Sequence, residues 1–319
     1  MAKITITPEA LAQSAQKYRK ELLMIITISL QASLEHMTLR PGVQYKETVG
    51  TLRGNAQFGP YDPNRKNTTN NITGRELEVF LGSVIKEFDP NDVLQSIYGS
   101  LILSGKKLTE TEITKAILAA ELKSLSSKLN QSLFDAVRNP AGTTSKDLYN
   151  GFDTIAAAEI AGDKISTPIG NLYEFDQAIT SSNAYDALKA FYRKASDELR
   201  EEPVKLLMPY SIFDAYCDDY QATVGSAPYN REFKKTFLEG TNNLCELVPM
   251  ASKKNSQFLQ MTSKKNMLVG TGAANDLEKL EVDRFSAFLV TLSSAILFGA
   301  QYESIAPEHL LIGKLHVGE

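Results

Sequence analysis

Thiol and imidazole chemistry have little to work with in this chain: its 319 residues hold two cysteines and three histidines. Cys217 and Cys245 lie in apolar or mixed surroundings without metal-site spacing, and read as free thiols of a reducing compartment. His36, His309 and His316 are too dispersed for a histidine-based metal motif. An excess of one charge is also missing. Lysine and arginine number 34 against 38 aspartate and glutamate, for a net charge of -4, so nothing advertises electrostatic capture of nucleic acid. Residues 22–30 are apolar and follow Lys17, Arg19 and Lys20, a faint likeness to a signal peptide. Glu9, Glu21 and the length of the preceding segment argue against cleavage. Residues 285–300 carry Ser286, Thr291, Ser293 and Ser294, fall short of the ~20 residues that span a bilayer, and read as buried strands. The chain has no internal repeat and no low-complexity tract.

Catalytic signatures are equally sparse. Gly270-Thr271-Gly272 follows a strand-like run, but the third glycine of a nucleotide loop is absent and strand texture follows, so it reads as a plain turn. Asp218-Asp219 are helix neighbours that do not face each other, and with Glu121, Asp135 and Glu201-Glu202 they read as solvated faces. No Gly-x-Ser-x-Gly occurs, and Cys217 has no base nearby in sequence, so core packing is its reading. The pairs Lys106-Lys107, Lys234-Lys235, Lys253-Lys254 and Lys264-Lys265 lack aromatic interleaving. Solvated loop ends or intersubunit ion pairs explain them. The sequence therefore predicts no enzyme, no cofactor and no metal.

The most informative feature present is an arm. Residues 43–49 and 76–85 read as two strands, and the stretch 53–75 between them is rich in Asn, Gly, Thr and Pro. Such a hairpin has almost nothing of its own to pack against and is marginal alone in water. A neighbouring copy of the chain is the expected support. Elsewhere, residues 8–34 show helical spacing until Arg40-Pro41-Gly42, and Asn91 can cap a short helix over 92–103. Thr109 with Glu112 makes a capping box. Ile113, Ile117, Leu118, Leu122, Leu125, Leu129, Leu133 and Val137 then form one stripe on a helix of about 40 Å, with Lys123, Ser126, Lys128 and Gln131 on its polar face. After Gly142 short elements alternate. Strand texture marks 165–168, 204–209, 244–250, 257–261, 266–269, 280–290, 295–302 and 310–315. Helical texture marks 183–199, 212–220 (capped by Ser211) and 232–237.

This order resembles the major capsid protein of tailed bacteriophages, the Hong Kong 97-like coat fold shared with encapsulins. The later part carries the likeness in most detail: 183–188, 205–209 and 211–220 resemble the family's helix, strand and helix. Residues 247–250, 266–270, 298–301 and 305–310 resemble its following strands and closing segment. The resemblance implies an α+β fold with an N-terminal arm (1–40) and an extended two-stranded loop (41–90). It further implies a peripheral domain with a long spine helix (91–140 and 266–304) and an axial domain (141–265 and 305–319). It implies a self-assembling icosahedral shell of pentamers and hexamers, formed in the host cytoplasm and found in the virion. Scaffolding and portal proteins would be partners, double-stranded DNA would be enclosed without sequence-specific contacts, and no membrane is involved. Tyr45, Val49, Leu52, Arg53, Arg75, Leu77, Val79, Leu81 and Ile85 are the expected intersubunit contacts. The family's lysine–asparagine crosslink cannot be matched to residues of this chain. An encapsulin-type compartment is the alternative with the same fold. A soluble α+β enzyme or ligand-binding protein is the alternative of another class.

Overall fold

The computed structural model describes residues 8–19, 21–23, 35–54, 70–89, 110–225, 236–272, 279–284 and 289–316. The readings over 24–34, 92–103 and 55–69, the capping role of Thr109, and the helical turn at 232–235 fall outside these residues.

The first helix, α1 (Pro8–Lys17), buries Leu11 and Ala15 against the spine helix α2 (Glu110–Gln131), where the Ser14 and Thr114 hydroxyls hydrogen-bond at 2.6 Å. The expected stripe of α2 is buried at Ile117, Leu118, Leu122 and Leu129. The helix stops earlier than its spacing predicts. The Ser132 hydroxyl donates to the Leu129 carbonyl at 2.8 Å and the chain turns, so Leu133 stays buried but Val137 is left 58% exposed. At 22 residues the helix is about 33 Å long rather than 40. Two of its polar positions are buried instead of solvated: Ser126, and Glu121, which pairs with Lys86.

A five-stranded sheet forms around β12 (Val290–Tyr302). Along one edge lies β4 (Phe80–Phe88), antiparallel, with Phe80 opposite Phe298 and Phe88 opposite Val290. Along the other edge β10 (Met267–Thr271) and β11 (Lys279–Arg284) follow one another, and β1 (Thr38–Pro41) adds to β10 in parallel. The run 280–302, expected as two strands broken near Ser293, places one unbroken strand at 290–302. Ser293 and Ser294 take ordinary ladder positions there.

The second sheet has six strands in the order β5 (Leu172–Glu174), β13 (Leu310–Lys314), β9 (Phe258–Thr262), β6 (Val204–Met208), β8 (Cys245–Pro249) and β7 (Thr236–Phe237). Both of its faces are covered. Leu206, Met208, Leu247, Met261 and Leu311 point into a core shared with α4 (Ala184–Arg193) and α6 (Tyr210–Val224). Leu207, Val248 and Ile312 point the other way, into the core shared with the first sheet and α2. Side chains alternate faces along a strand, so two buried faces require apolar residues at successive positions, as at Leu206, Leu207 and Met208.

Several local readings need correction. Residues 165–168 form turns, and the strand lies at Leu172–Glu174. The helix expected over 183–199 breaks after Arg193. A short helix, α5 (Asp197–Glu201), restarts where the Ser196 hydroxyl accepts from the Leu199 amide at 3.3 Å. Pro209, not Ser211, precedes α6, which ends at Gly225 with φ of +74°. Helix α3 (Phe152–Ala161) had no signal in the sequence reading. Its Phe152 ring lies 5.1 Å from Tyr302 and 5.8 Å from Phe134, and Tyr149 meets Phe298 edge-on at 4.8 Å, which makes an aromatic centre for the first core.

Candidate functional site: the two-stranded arm and its root

Strands β2 (Lys46–Gly54) and β3 (Asn70–Glu78) pair antiparallel from Lys46 opposite Glu78 to Gly54 opposite Asn70. The arm is therefore a hairpin, but its second strand is not the 76–85 strand of the sequence reading. That run divides at Val79: residues up to Glu78 belong to the arm, and residues from Phe80 onward belong to the first sheet.

The division has a cause in two other strands. Gly270 of β10 and Gly299 of β12 sit opposite each other. A Cβ on Gly299 would lie 2.1 Å from the Glu78 carbonyl oxygen, and one on Gly270 would lie 2.7 Å from Val79 Cγ1. The paired glycines leave a flat notch in the sheet, and the chain crosses it at close range. The Val79 amide donates to the Tyr45 carbonyl at 2.9 Å, and the Val43 amide donates to the Thr271 carbonyl at 3.2 Å. Around the notch Val43, Val49, Leu77 and Val79 pack on Leu268 and Leu297 as a separate small core. The expectation that the arm has almost nothing of its own to pack against is thus corrected at its root.

Arg75 fixes the same region by hydrogen bonds. Its Nε donates to the Tyr302 carbonyl at 3.1 Å, and its Nη2 donates to Glu159 Oε1 at 2.7 Å and to Gln301 Oε1 at 3.0 Å. The Arg75 and Glu159 side chains are only 10% and 14% exposed. One planar guanidinium thus joins the arm to α3 and β12, a fork that a lysine cannot reproduce. On the opposite face of the hairpin Lys46 pairs with Glu76 at 3.1 Å and with Glu78 at 3.7 Å. The hydrogen bond and charge of Glu76 raise the Lys46 pKa.

The nine expected contact residues therefore separate. Val49, Leu77 and Val79 are buried in their own subunit, and Arg75 is bonded there, so none of these four presents free surface to a neighbour. Leu52 and Arg53 lie farther along the arm, with backbones opposite Ile72 and Asn71. Tyr45, Leu81 and Ile85 are 64%, 54% and 73% exposed. Leu81 and Ile85 share the outer face of β4, two steps of the pleat apart. Beside Leu81 a cleft of about 380 Å³ runs between β4, the end of α2 and the loop after it. Leu125, Leu129, Leu148 and Ile296 line it, with Arg138, Asn139 and Asp147 at the rim.

Other polar residues depart from their solvated readings. Lys253 is fully buried, with its ammonium 3.2 Å from Asp153 Oδ1, 3.2 Å from Gln260 Oε1 and 4.2 Å from the Phe134 ring centroid. Burial lowers its pKa, against the opposing pull of Asp153. Asp219 is buried too, and its Oδ2 accepts from the Tyr185 amide at 2.7 Å, capping α4 from α6. Cys245 is buried with its thiol pushed up to about 12, chiefly by desolvation, and desolvation likewise raises half-buried Cys217, which packs against the second core. Neither thiol is activated as a nucleophile. Sequence reasoning missed Gly299, Glu159, Gln301 and the Lys253 cluster. The available signal was Gly299, a glycine inside the strand expected over 295–302, which marks a close backbone approach; Gly270, read as part of a turn, lies within β10 instead.

No family model matches the chain, and no curated protein matches its sequence. Solved structures do match. One is a chain of the satellite phage P4 procapsid that includes the size determination (Sid) protein, with a TM-score of 0.60 at 10% identity, covering 93% of this chain and 91% of that one. Another is the holo-SrpI encapsulin complex of Synechococcus elongatus PCC 7942, with a TM-score of 0.53 at 9% identity and 90% coverage of both chains. A third is the capsid asymmetric unit of cyanophage A-1(L), with a TM-score of 0.52 at 12% identity, covering 91% and 92%. At such identities the likeness is one of architecture: this α+β chain has the Hong Kong 97-like coat fold that its element order resembles.

Proposed function

We propose that the chain is a structural, non-enzymatic subunit of an icosahedral bacteriophage head that encloses double-stranded DNA. The arm carries the reading: a nine-position hairpin, seated at its root, on a fold in common with a procapsid chain. Tyr45, Leu81 and Ile85, with Leu52 and Arg53 farther along the arm, are the surface offered to neighbouring copies in pentamers and hexamers. Scaffolding and portal proteins act during assembly in the host cytoplasm, and the product is the virion capsid. The mild net charge of -4 suits many weak contacts between identical copies, because self-repulsion stays small. Residues 91–140 and 266–304 supply the peripheral domain, and residues 141–265 and 305–319 supply the axial domain.

The similarity to the SrpI encapsulin favours a second reading, a protein compartment with the same fold. Negative-stain electron microscopy of the expressed chain tests both against a soluble enzyme or binding protein. Closed particles are expected. A small oligomer that never forms particles overturns both shell readings. The enclosed material, nucleic acid or protein cargo, separates one from the other.

A further inference from the structure

We propose that helix α3 is a strut that ties the direction of the arm to the seam between the two sheets. Both of its ends are held. At its start, Asp153 Oδ1 accepts from Lys253 Nζ at 3.2 Å and from Gln260 Nε2 at 2.7 Å, which anchors α3 to the second sheet. Near its end, Glu159 receives Arg75 of the arm at 2.7 Å and pairs with Lys164 at 3.4 Å. Tyr302 of the first sheet closes the frame. Its hydroxyl donates to the Phe152 carbonyl at 3.3 Å, and its own carbonyl accepts from Arg75 Nε at 3.1 Å. Tyr302 and Lys253 have no exposed surface, so neither corner can swing without breaking packed contacts.

Arm, helix and sheet thus form a braced triangle, with the second sheet fastened to the far end of the helix. The residues from Asp153 to Glu159 span about 9 Å of helix rise, a distance a single rigid element transmits. A shift of the second sheet against the first reaches the arm through α3, and the reverse holds equally. The inference concerns one subunit and stands apart from the shell reading.

The test places nitroxides at Thr48→Cys on the arm and Glu281→Cys on the first sheet, in a Cys217→Ser background. Pulsed electron resonance then reads the distance distribution with labelled chain diluted in unlabelled chain. Glu159→Gln is expected to broaden the distribution about twofold. Asp153→Asn touches no arm residue and is expected to broaden it similarly, with the double variant no broader than either single one. If Asp153→Asn leaves the distribution unchanged while Glu159→Gln broadens it, the coupling is refuted. If neither variant changes it, the arm is not aimed by α3 at all. Gln260→Leu serves as the second lesion at the far end should Asp153→Asn fail to fold, read by the same two outcomes. Particle formation by the same variants is scored separately.

Discussion

Single residues settle where the arm begins. Gly299 has the Glu78 carbonyl where its Cβ would stand, so Gly299→Ala must lift the chain from the notch or push the strand aside. Overpacking of this kind costs about 1–3 kcal/mol, and urea unfolding of the variant should report a loss in that range. Cys245 gives a second prediction. Its folded pKa is raised from 9.0 to about 12, so above pH 9 the unfolded chain sheds a proton that the folded chain keeps. Stability therefore falls as pH rises through that window, by about 1.4 kcal/mol per unit for this one group. Cys245→Ala should flatten the slope between pH 9 and 11 in denaturant titrations, and identical slopes would contradict the burial argument. At this scale the sequence was least legible. Lys253 and Asp219 look like surface charges in a string of letters, because their partners Asp153 and Tyr185 lie 100 and 34 positions away.

Elements were legible where the apolar pattern follows the burial, as one stripe on a helix with a solvated face or a run on a strand buried on both faces. The stripe of α2 and the apolar run of β6 both could be read directly, and both are in place. Helix α3 could not be read, because Phe152–Ala161 is rich in alanine and isoleucine with no polar stripe to set a period. The break at Val79 was also hidden. No glycine or proline adjoins it, and the notch that causes it belongs to strands about 190 and 220 positions later. Strand β4 carries a prediction of its own. Ile85 is 73% exposed on the outer pleat, so Ile85→Asp should change unfolding free energy by no more than about 0.5 kcal/mol. Under the shell reading it should nonetheless suppress particle formation in light scattering. Full assembly by a stable Ile85→Asp chain would remove β4 from the interface.

For the whole molecule, the arm was legible as an arm, but its support was misjudged. Composition alone gave the hairpin no partner, and only the tertiary structure supplies Leu268, Leu297 and the acceptors of Arg75. Deleting 55–69 therefore tests the outer arm while leaving its root intact. The expected result is a folded chain with an unchanged circular dichroism melt that no longer closes particles. Normal particles from this deletion would remove the outer arm from assembly.

The seat of the arm also imposes a timetable. The hairpin is made from residues 46–78, yet the strands that receive it end at Thr271 and Tyr302 of a 319-residue chain. A ribosome must release the chain through Tyr302 before the notch exists. Until then the hairpin has nowhere to dock, and any chain cut short before β12 carries it loose. Docking thus waits for β12 to emerge, and the arm is seated only on molecules that already contain that strand.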